Sequence, residues 1–335
     1  MTCYPVIIPT LNRFSHLRAC VESLARCAHA AETELIIGLD FPPAEKYVDG
    51  WKKIKGYIPQ IKGFKNVEVL ERDENFGSSK NSRSLQDYAL SKYDAYIYTE
   101  DDNVFSPNFL EFINKGLEKY KDNENVLAVC GYSYPVDWKT SENAVLQHNY
   151  FSAWGYGEWG DKRNSMLQAL SPEFIKDALL GESEYSELKK SPKNRIMAVF
   201  NFSREKIDCM DITRSIYMTV KQKYVLMPAV SLVRNTGWDG SGEHCSKYGM
   251  KIKDIFSKQK ISEETSFDFN AAEKIEHSKN LEVFQMKIYE KEIINSIKAN
   301  LILLSIRLFG YENSRKLRRL VKNGKNQRDF LFRKK

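Results

Sequence analysis

Between residues 5 and 130, five short apolar runs (5–9, 34–40, 67–70, 95–98 and 126–130) alternate with segments of helical character. Each run is too short for a helix and several are rich in Val and Ile, so each reads as a buried strand. Helices are expected from Asn12 or Ser15 to about His29, from Ser78 to Lys92, and from the Ser106-Pro107 cap to about Tyr120. Strands alternating with helices give a parallel α/β sheet, and such sheets bind ligands beyond the carboxyl ends of their strands. That rule places Asp40, which ends the second run, and Glu100-Asp101-Asp102, which follow the fourth, on the ligand side.

After residue 131 the pattern loosens. Residues 151–160 mix aromatics with glycine. Helices are expected near 171–180, 193–207 and 211–221, a strand at 224–227, and a glycine-rich loop over 235–244. Beyond Asp254 the chain is polar until Ile293, Ile294, Ile297, Leu301, Leu304 and Leu308 mark one apolar helix face. The expected organisation is a folded body over 1–255, divided near 131, and a helical, basic extension over 256–335.

Composition removes several classes. With 18 Phe, 18 Tyr and 5 Trp in 335 residues the chain has the means to collapse. No apolar run approaches the roughly 20 residues of a spanning helix. Six cysteines without a Cys-x-x-Cys pair argue against zinc ribbons and disulfide frameworks. The opening residues lack a charged n-region and apolar core, so the expected location is cytoplasmic. The net charge of +7 is unevenly placed. Residues 315–335 hold ten Lys/Arg against Asp329, which leaves 41 of the 51 basic residues facing 43 of the 44 acidic ones. No nucleic-acid recognition motif accompanies this basic end, and an amphipathic helix followed by a cationic run suits an anionic membrane surface, here over 284–335.

The acidic triplet is the strongest candidate for chemistry, an acidic turn before the Ser106 cap being its plain alternative. Adjacent carboxylates at a buried strand end repel each other and lose solvation, and a hard divalent cation relieves both. Mn2+ or Mg2+ bound this way completes its shell with substrate phosphates, which implies a diphosphate ligand. The other strand ends carry matching polar groups: Pro9-Thr10-Leu11-Asn12-Arg13, Asp40, and Arg72-Asp73-Glu74-Asn75-Phe76-Gly77 with Asn81. Asp40 is placed to accept from a base N–H or a ribose hydroxyl. Gly77 permits close backbone approach, and the helix start behind it favours an anion.

These segments together resemble a GT-A-fold glycosyltransferase of the family 2 type: Pro5-Val6-Ile7-Ile8-Pro9-Thr10, Asn12-Arg13, Asp40, Arg72 with Asn75 and Gly77, Asn81, and Glu100-Asp101-Asp102. The triplet with Ser106-Pro107-Asn108-Phe109-Leu110-Glu111-Phe112 is also similar to the N-acetylglucosaminyltransferase I pattern. The resemblance implies a Rossmann-like, mostly parallel sheet, with residues 1–131 as nucleotide-binding half and 132–255 as acceptor half. It implies that Asp102 binds the metal and that Asp101 faces ribose or metal-bound water. Pro9, Thr10, Arg13, Asp40, Asn75, Gly77 and Asn81 would then line the nucleotide pocket.

The same resemblance makes Asp211 the first candidate for catalytic base, although Met210 and Ile212 depart from the aromatic and acidic neighbours the family shows there. By position alone Asp211 is equally a helix N-cap. Glu158, within Trp154-Gly155-Tyr156-Gly157-Glu158-Trp159, is the second candidate, and core packing is the plain alternative for its tryptophans. Residues 235–244 are similar to the Asn-Ile-Gly…Thr-His loop of the family's bacterial members, which implies His244 as a metal or diphosphate contact on a glycine-hinged lid; a polar surface residue is the plain alternative.

The implied activity is metal-dependent, inverting transfer from a nucleotide-diphosphate sugar, UDP-linked, to a glycan or lipid-linked acceptor in surface polysaccharide assembly. The location would be the cytoplasm or the inner face of the cytoplasmic membrane. A sugar nucleotidyltransferase would share the fold class but release pyrophosphate, and a non-catalytic glycan- or membrane-binding protein would show no metal-dependent binding of UDP.

Overall fold

The computed structural model describes residues 1–171, 174, 181, 210–242, 250–275, 278–288, 292–314 and 316. The chain divides into two compact units, residues 1–169 with 208–288, and residues 170–207 with 289–335.

In the first unit, β1 (Val6–Thr10), β2 (Glu34–Leu39), β3 (Asn66–Glu71) and β4 (Ala95–Tyr98) lie parallel in the order β4-β1-β2-β3. They form because Val6, Ile7, Ile8, Leu35, Ile36, Ile37 and Ile97 are fully buried, giving each strand a run that only a sheet covered on both faces can use. β8 (Tyr156–Trp159) pairs antiparallel with both β4 and β6 (Val126–Cys130). β9 (Tyr224–Pro228) lies parallel beside β6, and β7 (Val145–His148) and β11 (Glu273–Lys274) complete that edge. Among the described residues this makes one nine-stranded sheet, mostly parallel and flanked by helices, as the strand–helix alternation predicts. A separate antiparallel ribbon joins β5 (Asn103–Phe105) to β10 (Val233–Asn235).

Helix α1 (Phe14–Ala25) follows β1, α2 (Val48–Tyr57) follows β2, and α3 (Gly77–Leu90) lies across β1, β2 and β4. Helix α4 (Phe109–Lys119) buries Phe109, Phe112, Ile113 and Leu117 against the sheet, each contributing about 1.5–3 kcal/mol. It starts at Phe109, three residues after the expected cap; the Ser106 hydroxyl donates to the Ser262 carbonyl at 2.6 Å and accepts the Asn108 amide at 3.5 Å. Helices α5 (Gly160–Ala169) and α6 (Met210–Val220) bracket the segment in which the described residues are few.

The first five expected strands lie within one residue of their observed bounds, the first being shifted to Val6–Thr10. Helix α2 and strands β5, β7, β8 and β10 have no sequence expectation behind them. Residues 256–288, which polarity assigns to the extension, belong to the first unit, where Phe256 and Phe269 are buried. The expected helices over 171–180 and 193–207, and the basic run from residue 315, lie outside the described residues apart from isolated positions.

In the second unit the helix Glu292–Phe309 leaves Ile297, Leu301, Leu304 and Leu308 exposed along one stripe, while Leu303 and Ile306 are buried. Among the described residues no helix is long and apolar enough to cross a membrane.

Candidate active site

Four of the expected site residues converge at the carboxyl ends of β1 and β4. The Thr10 hydroxyl donates to Asp101 Oδ2 at 2.7 Å. Arg13, at the start of α1, donates through Nη1 to Asp102 Oδ2 at 2.7 Å and through Nη2 to Asp101 Oδ1. One guanidinium thus spans both acids. Burial opposes the Arg13 charge, but Asp101 and Asp102 more than offset it and raise its pKa. Burial pushes the Asp101 carboxyl above its ordinary value, with Arg13 pulling the other way. Glu100 is pushed well above the usual carboxylate range by burial and by the charges of Asp102 and Asp211.

Asp102 is also held from the opposite side of the chain. The β5–β10 ribbon sets Asn103 opposite Asn235, and Asn235 Nδ2 donates to Asp102 Oδ1 at 2.7 Å. The Thr236 amide and hydroxyl both donate to the Asp102 carbonyl, at 2.7 and 2.8 Å. Gly237 then passes so close that a Cβ there would lie 2.1 Å from Asp102 Oδ2. His16 Nε2 lies 2.9 Å from Asp239 Oδ2, tying this stretch to α1. Burial works against the Asp239 charge, but hydrogen bonds from Ser241 and His16 prevail and bring it down to about 2. The described part of the glycine-rich loop is therefore clamped onto the acidic pair, where the sequence suggests a hinged lid. His244 lies outside the described residues.

The expected nucleotide residues further along the sheet form a second cluster with a different use. Asp40 Oδ1 accepts the amides of Phe41 and Phe76, at 2.9 and 2.8 Å. Its Oδ2 accepts the Gly77 amide at 2.8 Å and Asn75 Nδ2 at 3.2 Å. A carboxylate offers about four lone-pair sites, so Asp40 is filled by the turn that starts α3. This corrects two expectations. Asp40 has no acceptor left for a base, and the anion at the start of α3 is Asp40 itself. Gly77 serves the turn through its φ of +72°, with open space where a Cβ would stand. Asn81 is buried, donates to the Gly38 carbonyl at 2.8 Å and accepts from Arg72 Nε at 3.1 Å. It fastens α3 to β2. Pro9 lies in β1 opposite Gly38.

Of the two expected bases, Glu158 is sealed within β8. It is fully buried, Arg214 Nε donates to its Oε1 at 2.9 Å, and Tyr96 donates to Oε2 at 2.7 Å, the oxygen that Arg214 Nη2 also meets. With both oxygens engaged and no solvent path, Glu158 is a scaffold anion, which corrects its candidacy as base. Asp211 is placed otherwise. It opens α6 with surface open to solvent, while its carboxyl is crowded by protein and accepts the Ala153 amide at 2.8 Å. That burial pushes it up to about 6, against the pull of the Ala153 amide and Arg214. The charge of Asp211 also raises Glu100.

At this centre Asp101 and Asp102 share Arg13, and among the described residues Arg13 is the cation that bridges both, while Arg214 meets Glu158 and also acts on Asp211. Among the described residues, two carboxylates at the end of β4 thus share one guanidinium, which leaves negative charge over. Sequence reasoning missed Arg214 and the grip of Asn235, Thr236 and Gly237 on Asp102. The run Asn235-Thr236-Gly237 stood out, but nothing local names its partner 133 residues away.

The family model for glycosyl transferase family 2 matches residues 6–176. No curated protein sequence matches the chain. Similar solved structures include residues 1–349 of TarS from S. aureus, at 11% identity over 96% of this chain and 92% of that one, TM-score 0.42. The mannosyltransferase PcManGT from Pyrobaculum calidifontis, in complex with GDP-Man and Mn2+, is 11% identical over 65% of this chain and 69% of that one, TM-score 0.37.

Proposed function

The chain belongs to glycosyl transferase family 2, and on that footing we propose that it transfers a sugar from a UDP-linked donor to a hydroxyl of a glycan or lipid-linked acceptor, with inversion, in surface polysaccharide assembly. The observation that carries this reading is the surplus of negative charge, among the described residues, at the end of β4, where Asp101 and Asp102 share Arg13 directly after Glu100. A divalent cation, Mn2+ or Mg2+, fits that surplus. Among the described residues no three His, Cys, Asp or Glu side chains form a cage, so Asp102 would hold the ion with oxygens of the donor diphosphate and, on the family pattern, His244. When bound, the ion neutralises charge developing on the leaving diphosphate.

The protein's own residues account for the other half of the reaction. Asp211 takes the proton of the acceptor hydroxyl. The hydroxyl oxygen forms its bond to the anomeric carbon while the bond from that carbon to the diphosphate oxygen breaks, and the electron pair leaves with the nucleoside diphosphate. Asp211 suits this task because it is open to solvent at one side and has a pKa raised to about 6, near working pH. Thr10 and Arg13 fix the two acids, and Asn235 and Gly237 hold Asp102 against them. Trp154, next to Ala153, stands edge-on to Trp238 with ring centroids 6.2 Å apart. These half-buried indoles offer the C–H faces of an acceptor sugar something to stack on. The likeness of residues 100–112 to the N-acetylglucosaminyltransferase I pattern favours an N-acetylhexosamine or hexose as the sugar moved. The exposed stripe Ile297, Leu301, Leu304 and Leu308, followed in the sequence by the basic run, favours a seat on an anionic membrane on its cytoplasmic face.

The test is donor hydrolysis across UDP-, GDP- and CDP-sugars with Mn2+. UDP release is expected, with an acid limb near pH 6 from Asp211. Asp102→Ala and Asp211→Asn should each lower it by about 10²–10⁴-fold in a folded protein. An unimpaired Asp102→Ala enzyme sinks the reading, and release of pyrophosphate would assign a nucleotidyltransferase instead.

A further inference from the structure

The end of β2 is where a nucleoside laid across the sheet from the acidic pair would arrive. Strand order runs β4-β1-β2, and neighbouring strands stand about 4.8 Å apart, so the end of β2 lies about 10 Å across from the acids at the end of β4. Asp40 stands there with both oxygens filled, so it cannot read a base. The next residue presents something else. Phe41 is 41% exposed, and among the described residues of the first unit no other aromatic ring is as open.

That exposure comes with a rigid mount. The Phe41 amide donates to Asp40 at 2.9 Å and its carbonyl accepts from Asn75 Nδ2 at 2.7 Å, so the backbone is pinned on both sides of the side chain. The ring is backed by Trp51 on α2, centroids 6.2 Å apart at 60°. Helix α2 is in turn seated on the β1–α1 turn, since a Cβ on Gly50 would lie 2.1 Å from the Asn12 carbonyl oxygen. An apolar ring held this way in water costs free energy unless a ligand covers it.

We propose that Phe41 is the base platform of the donor site: it stacks on the nucleobase while the diphosphate lies at Asp101 and Asp102. The filled Asp40 carboxylate then has a clear role as positioning residue, fixing the backbone on both sides of the turn that carries the ring. Stacking uses the π-face that every base shares, so this contact gives affinity for the nucleoside and little choice between uracil and guanine. The inference rests on the nucleotide-donor reading.

Calorimetric titration of UDP, GDP and inorganic pyrophosphate, each with Mn2+, into the full-length protein tests it. Phe41→Ala should weaken UDP and GDP about tenfold or more and leave pyrophosphate unchanged. Phe41→Trp should restore nucleotide binding. Phe41→Ala with native affinity for UDP overturns the proposal, as does equal loss of UDP and pyrophosphate. A wild-type protein that binds neither nucleotide removes the donor reading itself, and the platform with it.

Discussion

The molecule contains two arginine–carboxylate clusters that look alike in a residue list and differ in kind. Inside the sheet, Arg214 meets Glu158 one to one, with side chains 3% and 0% exposed, and Tyr96 adds its hydroxyl. At the strand ends, Arg13 is 22% exposed and serves two carboxylates that directly follow Glu100. The first cluster is neutral and complete. It binds α6 to β8, and so fixes the helix whose first turn carries Asp211, three positions before Arg214. The second, among the described residues, is incomplete by charge. Burial alone does not tell them apart, because Asp101 and Asp102 are also buried. Charge balance does: a complete cluster holds the fold, and an unbalanced one waits for a ligand.

The largest effect should come from breaking the complete cluster. Glu158→Ala leaves the Arg214 guanidinium buried without its partner, at a cost of about 3–5 kcal/mol in denaturant unfolding. Replacing both, Glu158→Leu with Arg214→Met, should recover most of that loss, since an apolar pair of similar volume often matches a buried ion pair. A Glu158→Ala protein as stable as the wild type would erase the distinction drawn between the clusters.

A smaller change probes the unbalanced cluster without touching a charge. In Gly237→Ala the new Cβ would stand 2.1 Å from Asp102 Oδ2, so the carboxylate or the strand end must shift. Misplacing a reacting group by about 1 Å can cost about 10²-fold, and sugar transfer should fall by that order. Unfolding should lose less than in Glu158→Ala, about 1–3 kcal/mol for the overpacked contact. Equal transfer by Gly237→Ala and wild type would show that the position of Asp102 does not limit the reaction.

These variants also mark what can be read along a chain and what cannot. The strands of the parallel half are legible because Val6-Ile7-Ile8 and Leu35-Ile36-Ile37 can only be buried on both faces. The acids at 100–102 follow from where the fourth strand stops. Strand β8 is not legible, because its glycine answers to packing far away: a Cβ on Gly157 would stand 2.5 Å from Ile113 and 2.8 Å from Leu117. The charge at Glu158 invites a catalytic role until its partner, 56 residues on, is in view. Asp40 shows the same limit. Its type and place are right for a nucleotide site, yet three of its four donors come from residues 35–37 positions later. Local sequence gives the element a residue ends. It does not give the donors that fill its oxygens.

The smallest effect is on stability, and its sign is the sharpest check on Asp211. A carboxyl raised to about 6 in the folded chain, against about 3.9 unfolded, binds its proton more tightly when folded. Such a group favours the fold below the unfolded value, and that contribution is lost as pH rises from about 4 through 6. Asp211→Asn removes the loss. Its melting temperature should exceed that of the wild type by about 1–3 °C at pH 8 and equal it near pH 3.5. Asp239, brought down to about 2 by Ser241 and His16, is the opposite case. Asp239→Asn should be less stable than wild type above pH 4, and the gap should close as pH falls through about 2. If Asp211→Asn instead loses stability at pH 8, its carboxylate is a satisfied anchor like Glu158. The site would then lack the one base whose surroundings set it apart from the scaffold.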